Sequence, residues 1–218
     1  MGYNVAIDGP AGAGKSTIAK LVAKEKGYIY VDTGAMYRGM AIHFLDKGIR
    51  AKETDKIISA LIDAEVTIRY EEGLQQVYLN GRNITDRLRE EEVGKMASLT
   101  SAIPQVRQKL LELQKGLART QDVIMDGRDI GTCVLPYADV KIYLTASVET
   151  RAKRRYDELT EKGIACDLDE IERDIKERDE RDSTREIAPL KQAEDAVLVD
   201  SSHMTIDEVV AAIVKLCR

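Results

Sequence analysis

Residues Gly9-Pro10-Ala11-Gly12-Ala13-Gly14-Lys15-Ser16 satisfy the spacing G-x-x-x-x-G-K-[ST], and Thr17 extends the run. The chemistry that needs this spacing is the gripping of a phosphate chain. Backbone N–H groups must curl around the oxygens without interference from a Cβ, and a helix beginning at Lys15 turns its positive end toward the same anion. Lys15 would reach the β and γ phosphates, and the Ser16 hydroxyl would hold Mg2+. The rival reading of a glycine-rich turn, a dinucleotide fingerprint, fails because Gly12-Ala13-Gly14-Lys15-Ser16-Thr17 lacks its third glycine, although Asp32 lies where a ribose-binding acid would be sought. A nucleoside triphosphate is the implied ligand.

Further stretches carry charge and hydroxyls at positions where an open parallel sheet binds ligands, the loops after its strands. Asp32-Thr33-Gly34-Ala35-Met36-Tyr37-Arg38 follows a strand and opens a helix, with Thr33 as its expected N-cap and Arg38 about one turn inside. Asp126-Gly127-Arg128-Asp129-Ile130-Gly131-Thr132 places a guanidinium and two carboxylates after another strand. Pro104 begins a helix, Arg107 lies one turn in, and Ser98 precedes both. Each feature alone has a plainer reading: Thr33 as a cap only, Arg38 in a surface ion pair, Asp126 as a loop-capping acid. Arg178, Arg181 and Arg185 are spaced by three and four, so a continuous helix would align them, with Asp182 alongside. From composition alone that stretch is a solvated helix laced with ion pairs.

The elements that must position these groups alternate. Short apolar runs at 3–8, 28–32, 122–126, 140–144 and 196–200 read as strands, separated by helical stretches at 15–26 and about 33–47 and by long charged helical segments. Gly27 is the expected C-terminal cap of the first helix. Strands alternating with helices imply an α/β fold with a parallel sheet flanked by helices. Residues 65–70 and 76–79 break the rhythm with period-two alternation, and Asn80-Gly81 is a two-residue hairpin signal before 82–85. This predicts a small antiparallel insertion packed on a larger body. Residues 151–185, dense in both signs, predict two solvent-facing helices around a turn at Gly163.

Length and composition fit that architecture. A chain of 218 residues buries roughly 70% of the surface its unfolded form exposes, enough for a core without staples. Charged residues make up 33% at net −5, which favours neither a disordered chain nor a basic binder of nucleic-acid polymers. Cys133, Cys166 and Cys217 are odd in number and far apart, so neither a disulfide framework nor a zinc site is expected. No apolar run approaches a membrane span, and the first ten residues lack the pattern of a signal peptide. Position 6 is Ala, where a myristoylation pattern would need Ser or Thr. A cytoplasmic, soluble monomer without membrane association is the expectation.

Taken together, the runs GPAGAGKST, VDTGAMYR, MDGRDIGTCVLP, ERDERDSTREIAPL and AVLVDSS resemble the bacterial cytidylate kinases over essentially the whole chain. The resemblance implies a single P-loop NTPase-type kinase domain with a core (about 1–64, 86–150 and 186–218), a nucleoside-monophosphate-binding insertion (about 65–85) and a helical lid (about 151–185). It implies transfer of the γ-phosphate of ATP to CMP or dCMP, with Mg2+ accompanying ATP, Lys15 and the arginines as principal charges, and Asp126 holding the metal through water. Asp129 and Ser98 would face the cytosine amino group, Arg107 the acceptor edge, and Arg38 and Arg128 the CMP phosphate, with Thr33 orienting the nucleoside. Arg178 and Arg185 would touch the acceptor or γ phosphate alongside Arg181, and Asp182 would bind a ribose hydroxyl or hold an arginine. Two alternatives remain: a kinase for another acceptor such as UMP, and a P-loop regulatory protein, which the lack of an N-K-x-D or T-K-x-D motif disfavours.

Overall fold

The run Asn-Val-Ala-Ile-Asp forms strand β1 (Asn4–Asp8), four of whose five residues are buried in the computed structural model, which describes residues 2–218. Such unbroken burial belongs to a strand covered on both faces. β1 pairs in parallel with β6 (Val123–Gly127) on one side and β7 (Val140–Thr145) on the other, and β7 pairs in parallel with β8 (Val197–Asp200). With β2 (Ile29–Asp32) the sheet has the order β2-β6-β1-β7-β8. The expected parallel strands are all present, each within a residue or so of its sequence bounds.

The chain divides into two compact units, one of Tyr3–Ile29 and Asp122–Arg218, the other of Tyr30–Gln121 with Gly2. In the first unit, helix α1 (Lys15–Lys26) starts after Gly14 at φ 84° and stops at Gly27 at φ 69°, the two left-handed residues that bracket it. Ile18 and Val22 of α1 are buried where it packs on β6 and on α8 (Ile206–Val214), which Thr205 and Glu208 open with a reciprocal capping box. The charged segment folds as α6 (Val148–Glu161) and α7 (Leu168–Thr184), joined through Gly163 at φ 70°. These helices are not uniformly solvent-facing as expected: Arg151, Ile175 and Asp182 are buried, the two charged ones because each is paired inside the unit. Arg185 lies just beyond α7 in an extended conformation, so the arginine face is not one continuous helix.

The second unit contains α2 (Thr33–Asp46), α3 (Thr54–Ala60), the antiparallel strands β3 (Val66–Glu71), β4 (Leu74–Leu79) and β5 (Arg82–Asn83), then α4 (Glu91–Thr100) and α5 (Pro104–Thr120). Asn80 and Gly81 turn β4 into β5 with φ of 49° and 78°, both positive as the hairpin signal requires. Proline opens α5 as expected. α2 lies against the small sheet through Gly39, where an added Cβ would come within 3.3 Å of Val77 and 3.5 Å of Val66 and Ile84. Met36, Met40 and Phe44 of α2 complete this core with Val93, Met96, Val106 and Leu110. Among the described residues no helix is long and apolar enough to cross a membrane.

Replacing Gly39 with leucine should therefore overpack the contact between α2 and the small sheet. Denaturant unfolding is expected to show a loss of ~1–3 kcal/mol.

Candidate active site

The phosphate loop is closed upon a buried cation. Lys15 is 5% exposed, and its Nζ donates to the carbonyls of Gly9 and Pro10, both at 2.8 Å. Burial first, and then the Arg128 guanidinium, push the Lys15 pKa well below the usual lysine range; Asp126 and Asp8 oppose this, and Arg178 adds to it. Glycine is obligatory at position 9, because at φ 150° a Cβ would sit 1.9 Å from the Leu144 carbonyl oxygen. Ser16 Oγ donates to Asp126 Oδ2 at 3.0 Å, which brings together the two oxygen donors expected to serve a metal. The rim of the loop is tied down as well. Ala11 N–H donates to Asp179 Oδ1 (3.2 Å), its carbonyl accepts from Arg151 (2.8 Å), and Arg151 and Asp179 pair at 2.6 Å.

The loop after β6 is held by cross-pairing with α7 and the residues that follow it. Arg128 Nε donates to Asp182 Oδ2 at 2.9 Å, and Asp129 pairs with Arg185 at 3.4 Å, their side chains 7% and 6% exposed. Arg185 Nε also donates to the Ala188 carbonyl. Burial raises the Asp182 pKa, but Arg128, Arg178 and Arg185 outweigh it and hold the carboxyl below its ordinary range. Asp8, at the end of β1, accepts from Ile130 N–H (2.8 Å) and Gly131 N–H (2.7 Å). Burial lifts its pKa to about 6 despite those bonds.

In the unit Tyr30–Gln121, the cap of α2 is Asp32 and not Thr33. Asp32 Oδ1 accepts from Ala35 N–H at 2.8 Å while Oδ2 accepts from Arg38 at 2.9 Å, so one carboxylate serves both the helix end and the arginine. Thr33 is the first residue of the helix and is buried. Gln75 of β4 clasps Asp32 by accepting from its N–H (2.9 Å) and donating to its carbonyl (3.1 Å). Arg107 donates to the Ser101 carbonyl (3.2 Å) and lies 5.6 Å from the Tyr37 ring centroid, while Ser101 Oγ donates to the Ser98 carbonyl (3.0 Å). Ser98, Ser101, Arg107 and the Tyr37 ring thus share one neighbourhood.

Of the residues singled out from the sequence, Lys15, Ser16, Asp126, Arg128, Asp129, Arg178, Asp182 and Arg185 fall in the unit with the phosphate loop. Thr33, Arg38, Ser98 and Arg107 fall in the other. Arg181 is half-buried on α7 next to Asp182. Sequence reasoning missed Asp8, Arg151, Asp179 and Gln75. For Asp8 a faint signal existed, a carboxylate ending an otherwise apolar buried strand; the other three carried none.

A glycine-built phosphate loop between β1 and α1 of a parallel sheet, with a buried lysine and converging arginines, defines a P-loop nucleotide-binding phosphotransferase. More narrowly, the chain belongs to the cytidylate kinase family, whose model matches residues 5–218. It is 50% identical over 213 residues to the cytidylate kinase of Caldicellulosiruptor saccharolyticus, covering 98% of this chain and 94% of that protein. It is likewise 50% identical over 214 residues to the cytidylate kinase of Lactobacillus johnsonii, covering 98% and 93%. A solved structure of an uncharacterized protein from Eubacterium ventriosum shares the fold with a TM-score of 0.54 at 13% identity, covering 98% of this chain and 96% of that one.

The lifted pKa of Asp8 has a thermodynamic sign. Between pH 4 and 6 the folded state binds the proton that the unfolded state has released, so this group's contribution falls as pH rises. Moving from 3.8 to about 6 corresponds to about 3 kcal/mol. Urea unfolding of the wild type and Asp8→Asn at pH 3 and pH 7 should show the wild type losing ~3 kcal/mol relative to the variant across that interval.

Proposed function

We propose that this protein transfers the γ-phosphate of ATP to CMP, and to dCMP, giving ADP and the pyrimidine nucleoside diphosphate. The observation that carries the reading is the glycine-built loop closed on a buried lysine, with Lys15 Nζ on the Gly9 and Pro10 carbonyls and Ser16 on Asp126. Burial, and after it Arg128, hold the lysine below its usual range, and phosphate oxygens entering the loop would relieve both. Membership of the cytidylate kinase family supports CMP as the acceptor.

On this reading the backbone of Gly9–Thr17 cradles the ATP phosphates, with Lys15 on the β and γ groups. Ser16 and Asp126, a hydroxyl and a carboxylate in contact, are the hard oxygen donors that suit Mg2+, which would neutralise charge between the β and γ phosphates when bound. Arg128 clamps the CMP phosphate, and Asp182 keeps its guanidinium oriented. Asp129, whose carboxylate meets Arg185, would accept from the cytosine amino group, while uracil would present a carbonyl to the same carboxylate. Arg38, Ser98, Arg107 and Thr33 are assigned to the acceptor nucleotide from the sequence pattern, and α6 with α7 is assigned the role of a lid. The transferring phosphoryl group spreads charge over its equatorial oxygens, which Lys15, Arg128, Arg178, Arg181 and Arg185 stabilise. No general base is required, because the acceptor phosphate has a second pKa of about 6 and is mostly dianionic at neutral pH. The three free cysteines fit a reducing cytoplasm, where ATP is plentiful.

A coupled assay of ADP formation with CMP, UMP, AMP and shikimate as acceptors tests the proposal. CMP-dependent turnover well above the other three is expected, and equal turnover without any acceptor would refute it. Arg128→Ala should lower kcat/KM for CMP by about two orders of magnitude, the worth of two charge-assisted hydrogen bonds.

A further inference from the structure

We infer that Asp8, which need touch neither nucleotide, is the positioning residue that gives the acceptor loop its selectivity for cytosine. The inference rests on the function proposed above and on the contacts of one carboxylate. Asp8 is the last residue of β1, directly before Gly9, and is 4% exposed. Its two oxygens each accept from the backbone of a consecutive residue 122 and 123 positions away, Ile130 and Gly131. Those residues begin a five-residue π-type helix, Ile130–Val134, whose first N–H groups have no partner within the helix.

The consequence falls on Asp129. An aspartate at the position before a helical turn ordinarily turns its side chain onto the turn's own N–H groups. Asp129 occupies that position and makes no such bond; its carboxylate instead meets Arg185 at 3.4 Å. Asp8 has taken over the capping from outside, so the Asp129 side chain is released to point elsewhere. Since Asp8↔Gly127 is also a register pair of β1 and β6, the same residue fixes both ends of the segment that carries Arg128 and Asp129. The fit leaves no slack: a Cβ on Gly131 would lie 3.2 Å from Lys141 Cδ and 3.4 Å from Asp8 Oδ2.

An asparagine at position 8 retains the shape but turns an NH2 group toward one of the two backbone donors. The turn must shift, and Asp129 can then return to capping it. Steady-state kinetics of wild type and Asp8→Asn with CMP, UMP and varied ATP separate this role from a merely structural one. The ratio of kcat/KM for CMP over UMP should fall at least tenfold, while KM for ATP changes less than threefold. An unchanged ratio, equal losses for CMP and UMP, or an equal rise in the ATP KM would overturn the inference. Should Asp8→Asn not fold, Gly131→Ala crowds the same contact with the carboxylate retained. It should also lower the ratio, and a wild-type ratio in that variant would be decisive against Asp8. A wild type with no preference for CMP would instead sink the proposed function, a failure visible before any variant is made.

Discussion

Everything at the phosphate loop follows from a cation kept where water cannot solvate it. Lys15 is buried, donates to two carbonyl oxygens of its own loop, and feels Arg128 and Arg178 on one side and the carboxylates of Asp126 and Asp8 on the other. A low-dielectric pocket with excess positive charge is an unfavourable thing to fold, and it becomes favourable when phosphate oxygens enter. On the proposed function, the same positive charge would grip a phosphate chain and stabilise the charge that develops on the transferring group.

Carboxylates manage the excess. Asp126 meets Ser16, Asp182 holds Arg128, Asp129 meets Arg185, and Asp179 with Arg151 pins both the N–H and the carbonyl of Ala11. None of these pairs is a surface ion pair of negligible worth, since each has at least one partner removed from water. In the unit Tyr30–Gln121 the same device recurs, with Asp32 orienting Arg38 and itself oriented by Gln75. Asp8 turns both of its oxygens to backbone donors, and its lifted pKa marks the stability given up for that placement.

The elements and the phosphate loop could be read from the chain because their signals are local. Gly9 to Ser16 needs eight consecutive residues, the Asn80-Gly81 turn needs two, and the strands announce themselves as short apolar runs. The orienting contacts could not be read in the same way. Asp8 reaches Ile130, Arg151 reaches Ala11 and Gln75 reaches Asp32 across separations of 122, 140 and 43 residues, and nothing periodic marks them. Where the reading of a local signal failed, a stronger competitor stood beside it. Thr33 is a good cap, but Asp32 can serve the helix and Arg38 at once. Residues 151–185 look solvated because their composition is charged, yet Arg151 and Asp182 are buried with partners.

If phosphates complete a buried cation cluster, ATP affinity must depend on the charge at position 15. Calorimetric titration of ATP into the wild type and Lys15→Met, at low and at high salt, measures that dependence directly. The wild type is predicted to bind at least tenfold more tightly than the variant. Equal affinities in the two proteins would contradict the account.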